Sequence, residues 1–384
     1  MSRPRRRSVS ASPVAKKGLP HKPLCCSNVY LLPTESRLNF DTVFPTAHGA
    51  ALSTASLKSS PQDFIVEETL AFPLSGKGGH YYLHLRKTNA NTEWVAQQLA
   101  RTLGVSPRDI GYAGQKDRHA VTSQWFSLSG KSLTPERIAA VQIEGVEILE
   151  VTTHDRKLRK GAIKQNRFTI CLRNFSAEAQ AVARRLELIA QQGVPNYFDE
   201  QRFGRQRGNL TAALSMFRRQ SRPSRYQRSM YLSAVRAWLF NQILAQRVRQ
   251  QSWNTALSGD VFWLEGTKRF FIPPHIDQDI ERRLRGGDIH PTGALWGKDR
   301  LQSSNSVAEL EDGVAAQWQP LVDGLVSAGL MQDRRALRVF PRELGHVHDI
   351  AQQTLTLSFA LPAGAYATAL IRELVQLHQA DNLN

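Results

Sequence analysis

The spacing of apolar residues changes twice along this chain, from strand-like to helical and back, and this constrains the fold most. From His80 to Lys87, Tyr81, Leu83 and Leu85 share one face while Tyr82, His84 and Arg86 share the other, the period of a strand. Asn166 to Asn174 repeats the pattern, with Phe168, Ile170 and Leu172 on one side. Phe64-Ile65-Val66, His119 to Leu128 and Val146 to Val151 read as further strands. Helices punctuate them. Thr92 is a candidate N-cap before Val95, Leu99 and Leu103, and Gly104 fits the stop. Ser176 caps a second helix carrying Val182, Leu186 and Ile189, which Gly193 and Pro195 end. Beyond Pro195 the texture shifts: Leu232, Val235, Leu239 and Ile243 lie on one helical stripe, Gly259 to Pro273 reads as a hairpin turning near Gly266, and helical pieces run to about Ala336. Strand alternation then returns at Leu355, Leu357 and Phe359, and Ala365 to His378 reads as a terminal helix. A lone strand and helix at the end imply that the chain returns to complete its first part. The class is α+β, with a mostly helical middle as an insertion.

The 384 residues are enough for two domains at ~100–200 residues each. Fifty Lys and Arg against 33 Asp and Glu leave a charge of +17, which points to a polyanionic partner. Residues 1–37 hold eight basic side chains and one acid, +7 of that total. They are rich in Ser, Pro and Arg without apolar periodicity, and read as a disordered basic tail. The tail lacks the apolar run of a secretory signal. Its composition also suits an organellar transit peptide, or a start codon placed too far upstream. No apolar stretch is long enough to span a membrane. Three cysteines, Cys25, Cys26 and Cys171, make neither a disulfide framework nor a zinc site. They favour a reducing interior, and the cytoplasm is the expected location.

The most informative stretch runs Gly111-Tyr112-Ala113-Gly114-Gln115-Lys116-Asp117-Arg118-His119-Ala120-Val121-Thr122-Ser123-Gln124-Trp125. Two glycines release the backbone before an acid flanked by cations, and strand-like sequence resumes at once. Asp117 is thus placed at a strand end, where catalytic side chains are often held. The flanking cations suit a carboxylate that acts as nucleophile or base. On residue types alone a solvated turn is the commoner reading of such a segment.

This segment resembles the signature of the pseudouridine synthase D family, and four other stretches do as well, in family order. They are Lys58 through Asp63-Phe64-Ile65-Val66-Glu67-Glu68; Lys157-Leu158-Arg159-Lys160-Gly161 continuing to Lys164-Gln165-Asn166-Arg167-Phe168; Gly193-Val194-Pro195-Asn196-Tyr197-Phe198 continuing to Gln201-Arg202-Phe203-Gly204; and Gly364-Ala365-Tyr366-Ala367-Thr368 with Arg372-Glu373-Leu374. A weaker match is Pro291-Thr292-Gly293 with Leu295-Trp296-Gly297. The resemblance implies a pseudouridine synthase catalytic fold, a mixed or antiparallel sheet with flanking helices, formed by residues 38–191 and 341–384. A family-specific domain would be inserted at about 192–340. It places the catalytic Asp on Asp117, with Lys58 beside it, and the substrate contacts on Phe64, Asn166, Phe168 and Tyr366. The implied substrate is tRNA, at uridine 13 of the dihydrouridine arm. One departure stands out: Asp199 occupies a position where the family usually has Gly.

These roles are chemically coherent. Isomerising uridine breaks N1–C1′, turns the base and bonds C5 to C1′. No redox change occurs, so no cofactor is expected, and no metal ligand cluster is visible among the eleven histidines. Asp117 could attack C1′ or abstract a ribose proton. Lys58, alone a surface lysine, would orient the carboxylate. The target base must leave its stack at a cost of a few kcal/mol, and aromatic faces return ~1–3 kcal/mol per stacked base. Core packing competes with that role for all three aromatics and is the stronger reading for Phe168, whose strand face carries Ile170 and Leu172. Asn166 could read the uracil edge. Arg202, Arg205, Arg207, Arg218, Arg219, Arg222, Arg225 and Arg228 suit a phosphate-tracking face, although a solvated helix face explains about half of them. A monomer without protein partners is expected. The competing class is an RNA-binding or RNA-folding protein without catalysis. Charge and aromatics would look the same there, and an intact acid in an intact signature is what separates the two.

Overall fold

A computed structural model describes residues 38–41, 43–130 and 133–378; the basic segment 1–37, with Cys25 and Cys26, lies outside the described residues. The elements before the middle stretch are β1 (Ser53–Leu57), β2 (Phe64–Leu70), β3 (His80–Thr88), α1 (Thr92–Leu103), β4 (Gly111–Tyr112), β5 (Val121–Leu128), α2 (Pro135–Ala139), β6 (Val146–His154), β7 (Ile163–Arg173) and α3 (Ala179–Gln192). The middle holds β8 (Val194–Pro195), α4 (Gly208–Phe217), α5 (Arg225–Arg249), β9 (Phe262–Leu264), β10 (Phe270–Phe271), α6 (Gln278–Arg285), β11 (Ile289–Leu295), α7 (Asn305–Gln317), α8 (Gln319–Ser327), β12 (Asp333–Ala336) and β13 (Arg338–Val339). The chain ends with β14 (Arg342–Asp349), β15 (Thr354–Pro362), α9 (Ala367–Ile371) and β16 (Val375–Leu377).

The fold is α+β around one large mixed sheet, ordered β14-β15-β7-β2-β5-β3-β6, with β1 on β7 and β16, and β4 on β5. The alternation in the late strand dictates its place. Leu355, Leu357 and Phe359 are fully buried and stand opposite Leu172, Ile170 and Phe168 of β7. Together with Val182, Leu186 and Ile189 of α3 and Leu370 of α9 they form one core cluster. A second cluster joins Leu83 and Leu85 to Val95, Leu99 and Leu103 of α1 and to Phe126 and Leu128. Each such side chain contributes ~1.5–3 kcal/mol on burial.

Helices dominate the middle stretch, but it also contains a four-stranded sheet, β10-β9-β11-β12. The hairpin near Gly266 is present, with β9 and β10 antiparallel and Gly266 at φ 72°. β11 was hidden by Pro291 and Gly293, which usually break strands. Gly293 is needed there: a Cβ would come within 3.0 Å of Leu337 and 3.2 Å of Phe240. The stretch enters and leaves side by side, β8 pairing antiparallel with β13 through Val194↔Val339.

Three local expectations are corrected. The terminal helix from Ala365 to His378 is instead the short α9 followed by β16, which pairs parallel with β1. Tertiary pairing overrides the helical pattern there, since Ser53 to Ala55 gain a sheet partner. Thr92 is the first helical residue and Asn91 the N-cap, because the Thr92 hydroxyl donates to Gln124 Oε1 at 2.8 Å. Glu178, not Ser176, caps α3, for the Ser176 amide is drawn to Ser53 Oγ at 3.2 Å.

Candidate active site

Lys58 follows β1 with φ 60°, a left-handed conformation uncommon outside glycine and frequent where sites hold strain. It brings Nζ to 3.2 Å from Asp117 Oδ2 and 4.1 Å above the Phe64 ring. Phe64 meets Phe168 edge to face at 6.2 Å, and Phe168 stacks on Phe359 at 5.4 Å. The end of β1, the start of β2, the middle of β7 and the loop before β5 therefore converge on one point. Phe64 and Phe168 are both buried members of the core cluster. The Phe64 ring braces Lys58 and Phe168 backs Phe64, while the Lys58–Asp117 pair stays open, with side chains 21% and 35% exposed.

The loop carrying Asp117 is tied down along its length. Ala113 O accepts from Gly161 N at 2.8 Å. Gly114 O accepts from Gln124 Nε2 at 3.2 Å. Lys116 N donates to Thr92 Oγ1 at 3.0 Å, and the Lys116 ammonium pairs with Glu68 Oε2. Lys87 Nζ donates to the main-chain oxygen of Asp117 itself, at 2.9 Å. Gly111 lets the loop start close to its neighbours: a Cβ there would fall 2.3 Å from Leu158 O.

Asn166 lies on β7 opposite Glu68 of β2 and Leu361 of β15. Its Oδ1 is buried without a hydrogen-bond partner, a costly state for an amide oxygen. Tyr366 belongs to a second cluster, at the junction with the middle stretch. Arg202 Nη2 donates to its hydroxyl at 2.6 Å, and its ring meets Phe198 edge-on at 6.1 Å. Arg335 covers Phe198 at 4.0 Å. Asp199 sits in the same junction. It caps the turn Glu200–Phe203, accepting from Gln201 N at 2.8 Å, and receives the Thr368 hydroxyl. Its φ of −67° makes no demand for glycine.

The family model for tRNA pseudouridine synthase D (TruD) matches residues 49–220 and 220–374. The chain belongs to that family. The curated tRNA pseudouridine synthase D of Hydrogenovibrio crunogenus is 44% identical over 342 residues, covering 88% of this chain and 97% of the relative. That of Methylococcus capsulatus is 45% identical over 337 residues, covering 86% and 94%. The crystal structure of a putative tRNA pseudouridine synthase D from Methanosarcina mazei shares the fold, with a TM-score of 0.65 at 21% identity over 87% of this chain and 96% of that one. As a family member the chain is a pseudouridine synthase, an isomerase.

Lys87, Glu68, Thr92 and Gln124 were missed as loop-holding residues. For Lys87 a signal existed: it continues the face of Leu83 and Leu85, so a cation falls on a core position. Of the arginines expected on a phosphate-tracking face, Arg205, Arg218, Arg219, Arg222, Arg225 and Arg228 are exposed. Arg202 and Arg207 are half-buried, Arg207 lying 5.4 Å from the Trp238 ring. Among the described residues no group of three or more His, Cys, Asp or Glu is placed to hold a metal, and no helix is long and apolar enough to cross a membrane.

Proposed function

We propose that this synthase isomerises uridine 13 in the dihydrouridine arm of tRNA, with Asp117 as the reacting carboxylate. The observation that carries the reading is the Lys58–Asp117 pair, 3.2 Å apart and part-exposed, its acid on a loop held by five contacts. N1–C1′ breaks, the base turns, C5 bonds to C1′, the C5 proton is lost and N1 regains one. Asp117 acts as nucleophile at C1′ or as base toward a ribose proton, and Lys58 keeps it aimed. Asn166, whose Oδ1 has no partner, takes the uracil N3–H. Phe64 and Phe168 wall the base site, and Tyr366 holds the flipped base from the C-terminal side. The names of the relatives support tRNA as substrate, and the exposed arginines between Arg205 and Arg228 fit its phosphates. Residues 38–191 with 341–384 would form the catalytic part and 192–340 the inserted one. The test is nucleotide-resolution pseudouridine mapping of cellular RNA with the wild-type gene, without it and with Asp117→Asn. Signal at uridine 13 with the wild type alone supports the proposal; signal that persists with Asp117→Asn overturns it.

A further inference from the structure

Lys87 is 1% exposed near the end of β3, where the β-sheet alternation would otherwise place an aliphatic residue. Removing an ammonium from water costs several kcal/mol unless its donors are met. Here two of its three donors are met by main-chain oxygens, Ala90 O at 2.6 Å and Asp117 O at 2.9 Å. Among the described residues no carboxylate lies within ion-pair distance of it. The Ala90 contact is local, three residues away, and a strand end could make it with many side chains. The Asp117 contact spans 30 positions and ends on the backbone of the one residue whose carboxylate the reaction needs. An apolar residue at this place would pack with less penalty, so the buried cation needs a use.

We propose that Lys87 is a positioning residue for the isomerisation: it grips the Asp117 main chain from inside the protein while Lys58 aims the side chain from outside. The inference rests on the reading of Asp117 as the reacting group. A charged donor makes bonds roughly twice as strong as a neutral one. A displacement of about 1 Å at a reacting group can cost on the order of 100-fold in rate. The surroundings make the grip pH-sensitive. Burial is the main influence on Lys87 and pulls it down to about 8, the Asp117 charge opposing this and the Lys116 charge adding to it. Lys116 is itself committed to Glu68. Thr122 on β5 and Val146 on β6 stand opposite Lys87 and carry no charge. As pH rises through about 8 the amine turns neutral and the grip weakens. The unfolded chain keeps that proton up to its ordinary value of 10.5, so between the two values folding stability rises with pH. Turnover and stability thus move in opposite directions, which a purely structural lysine would not cause.

The experiment compares wild type, Lys87→Met, Lys87→Gln and Asp117→Asn in single-turnover assays on tRNA, with RNA affinity and melting measured alongside. Lys87→Met should lose about 10- to 100-fold in rate with affinity within about twofold of wild type, and Lys87→Gln, which can still donate, should recover at least threefold of that loss. The wild-type rate should fall across pH 8, a step absent in Lys87→Gln. Retention of rate within threefold in Lys87→Met, a loss that appears only in affinity, or no recovery in Lys87→Gln would each overturn the proposal. If Lys87→Met does not fold, the pH profiles decide, and a wild-type rate flat across pH 8 counts against it. An inactive Asp117→Asn beside an active Lys87→Met sinks only this inference; an active Asp117→Asn sinks the reading beneath it.

Discussion

Two kinds of ion pair divide this molecule. In the middle stretch, Arg247 and Asp260 meet at 2.9 Å with side chains 1% and 0% exposed. Arg247 also donates to Ser252 O and Thr255 O, and Asp260 accepts from Leu257 N. Arg334 and Glu311 repeat the arrangement at 2.8 Å, with Ser303, Ala294 and Thr292 meeting their remaining positions. At strand ends in the middle of the large sheet, Lys58 and Asp117 are nearly as close, at 3.2 Å, but part-exposed, and Lys58 holds a strained backbone. The saturated pairs have no bonding capacity left for a substrate, whereas the open pair does. The separation of charges is thus a poor guide to their purpose, and the number of other partners is a better one.

The sharpest way to break that contrast is to neutralise one acid of each kind. Asp117→Asn should reduce pseudouridine formation to background while melting close to wild type, since a part-exposed pair contributes only about 0–1 kcal/mol. Glu311→Ala should do the reverse. It strands a buried guanidinium, costs ~3–5 kcal/mol of stability and leaves turnover of the folded fraction near normal. An Asp117→Asn protein that unfolds as readily as Glu311→Ala would erase the distinction.

A smaller effect separates the open site from its junction. Tyr366→Phe keeps the ring and loses only the acceptor for Arg202, so kcat/KM should stay within a few-fold. Tyr366→Ala should lose ~1–3 kcal/mol of transition-state stabilisation through the flipped base, with little change in melting. A drop of ~3–5 kcal/mol in stability with normal turnover would make Tyr366 a core residue instead.

The same contrast explains what could be read from the sequence. Leu355, Leu357 and Phe359 announced a strand because one sheet face is apolar, and they carried the α+β reading with them. β11 was unreadable because Pro291 and Gly293 serve close packing beneath α5, a demand set by residues about fifty positions away. β16 was unreadable because its pattern fits a helix until β1 is there to pair with it. At the site, the glycines and cations around Asp117 marked it as a candidate that the family resemblance had to decide, whereas Lys58 was visible through that resemblance alone. The clamp on the loop is a tertiary fact: Lys87, Thr92 and Gln124 come from three separate elements, and only the parity of Lys87 hinted at it.

The smallest expected effect concerns Asp199, where the family resemblance leads one to expect Gly. The residue caps a turn and also binds Thr368, two positions after Tyr366, so it links the middle stretch to the C-terminal side of the site. Its backbone angles of φ −67° and ψ 151° suit any residue, so restoring Gly relieves no strain. A glycine cap is only a few tenths of a kcal/mol poorer than Asp, whereas alanine costs ~0.5–2 kcal/mol. Asp199→Gly should therefore melt slightly below wild type, Asp199→Ala lower still, and both should keep full turnover. Thr368→Val, which removes the other half of the contact, should match Asp199→Gly. The outcome that would revise the comparison is a loss of more than tenfold in turnover for Asp199→Gly at unchanged stability. Asp199 would then serve the reaction itself, through Thr368 and the neighbouring Tyr366, and not only the fold.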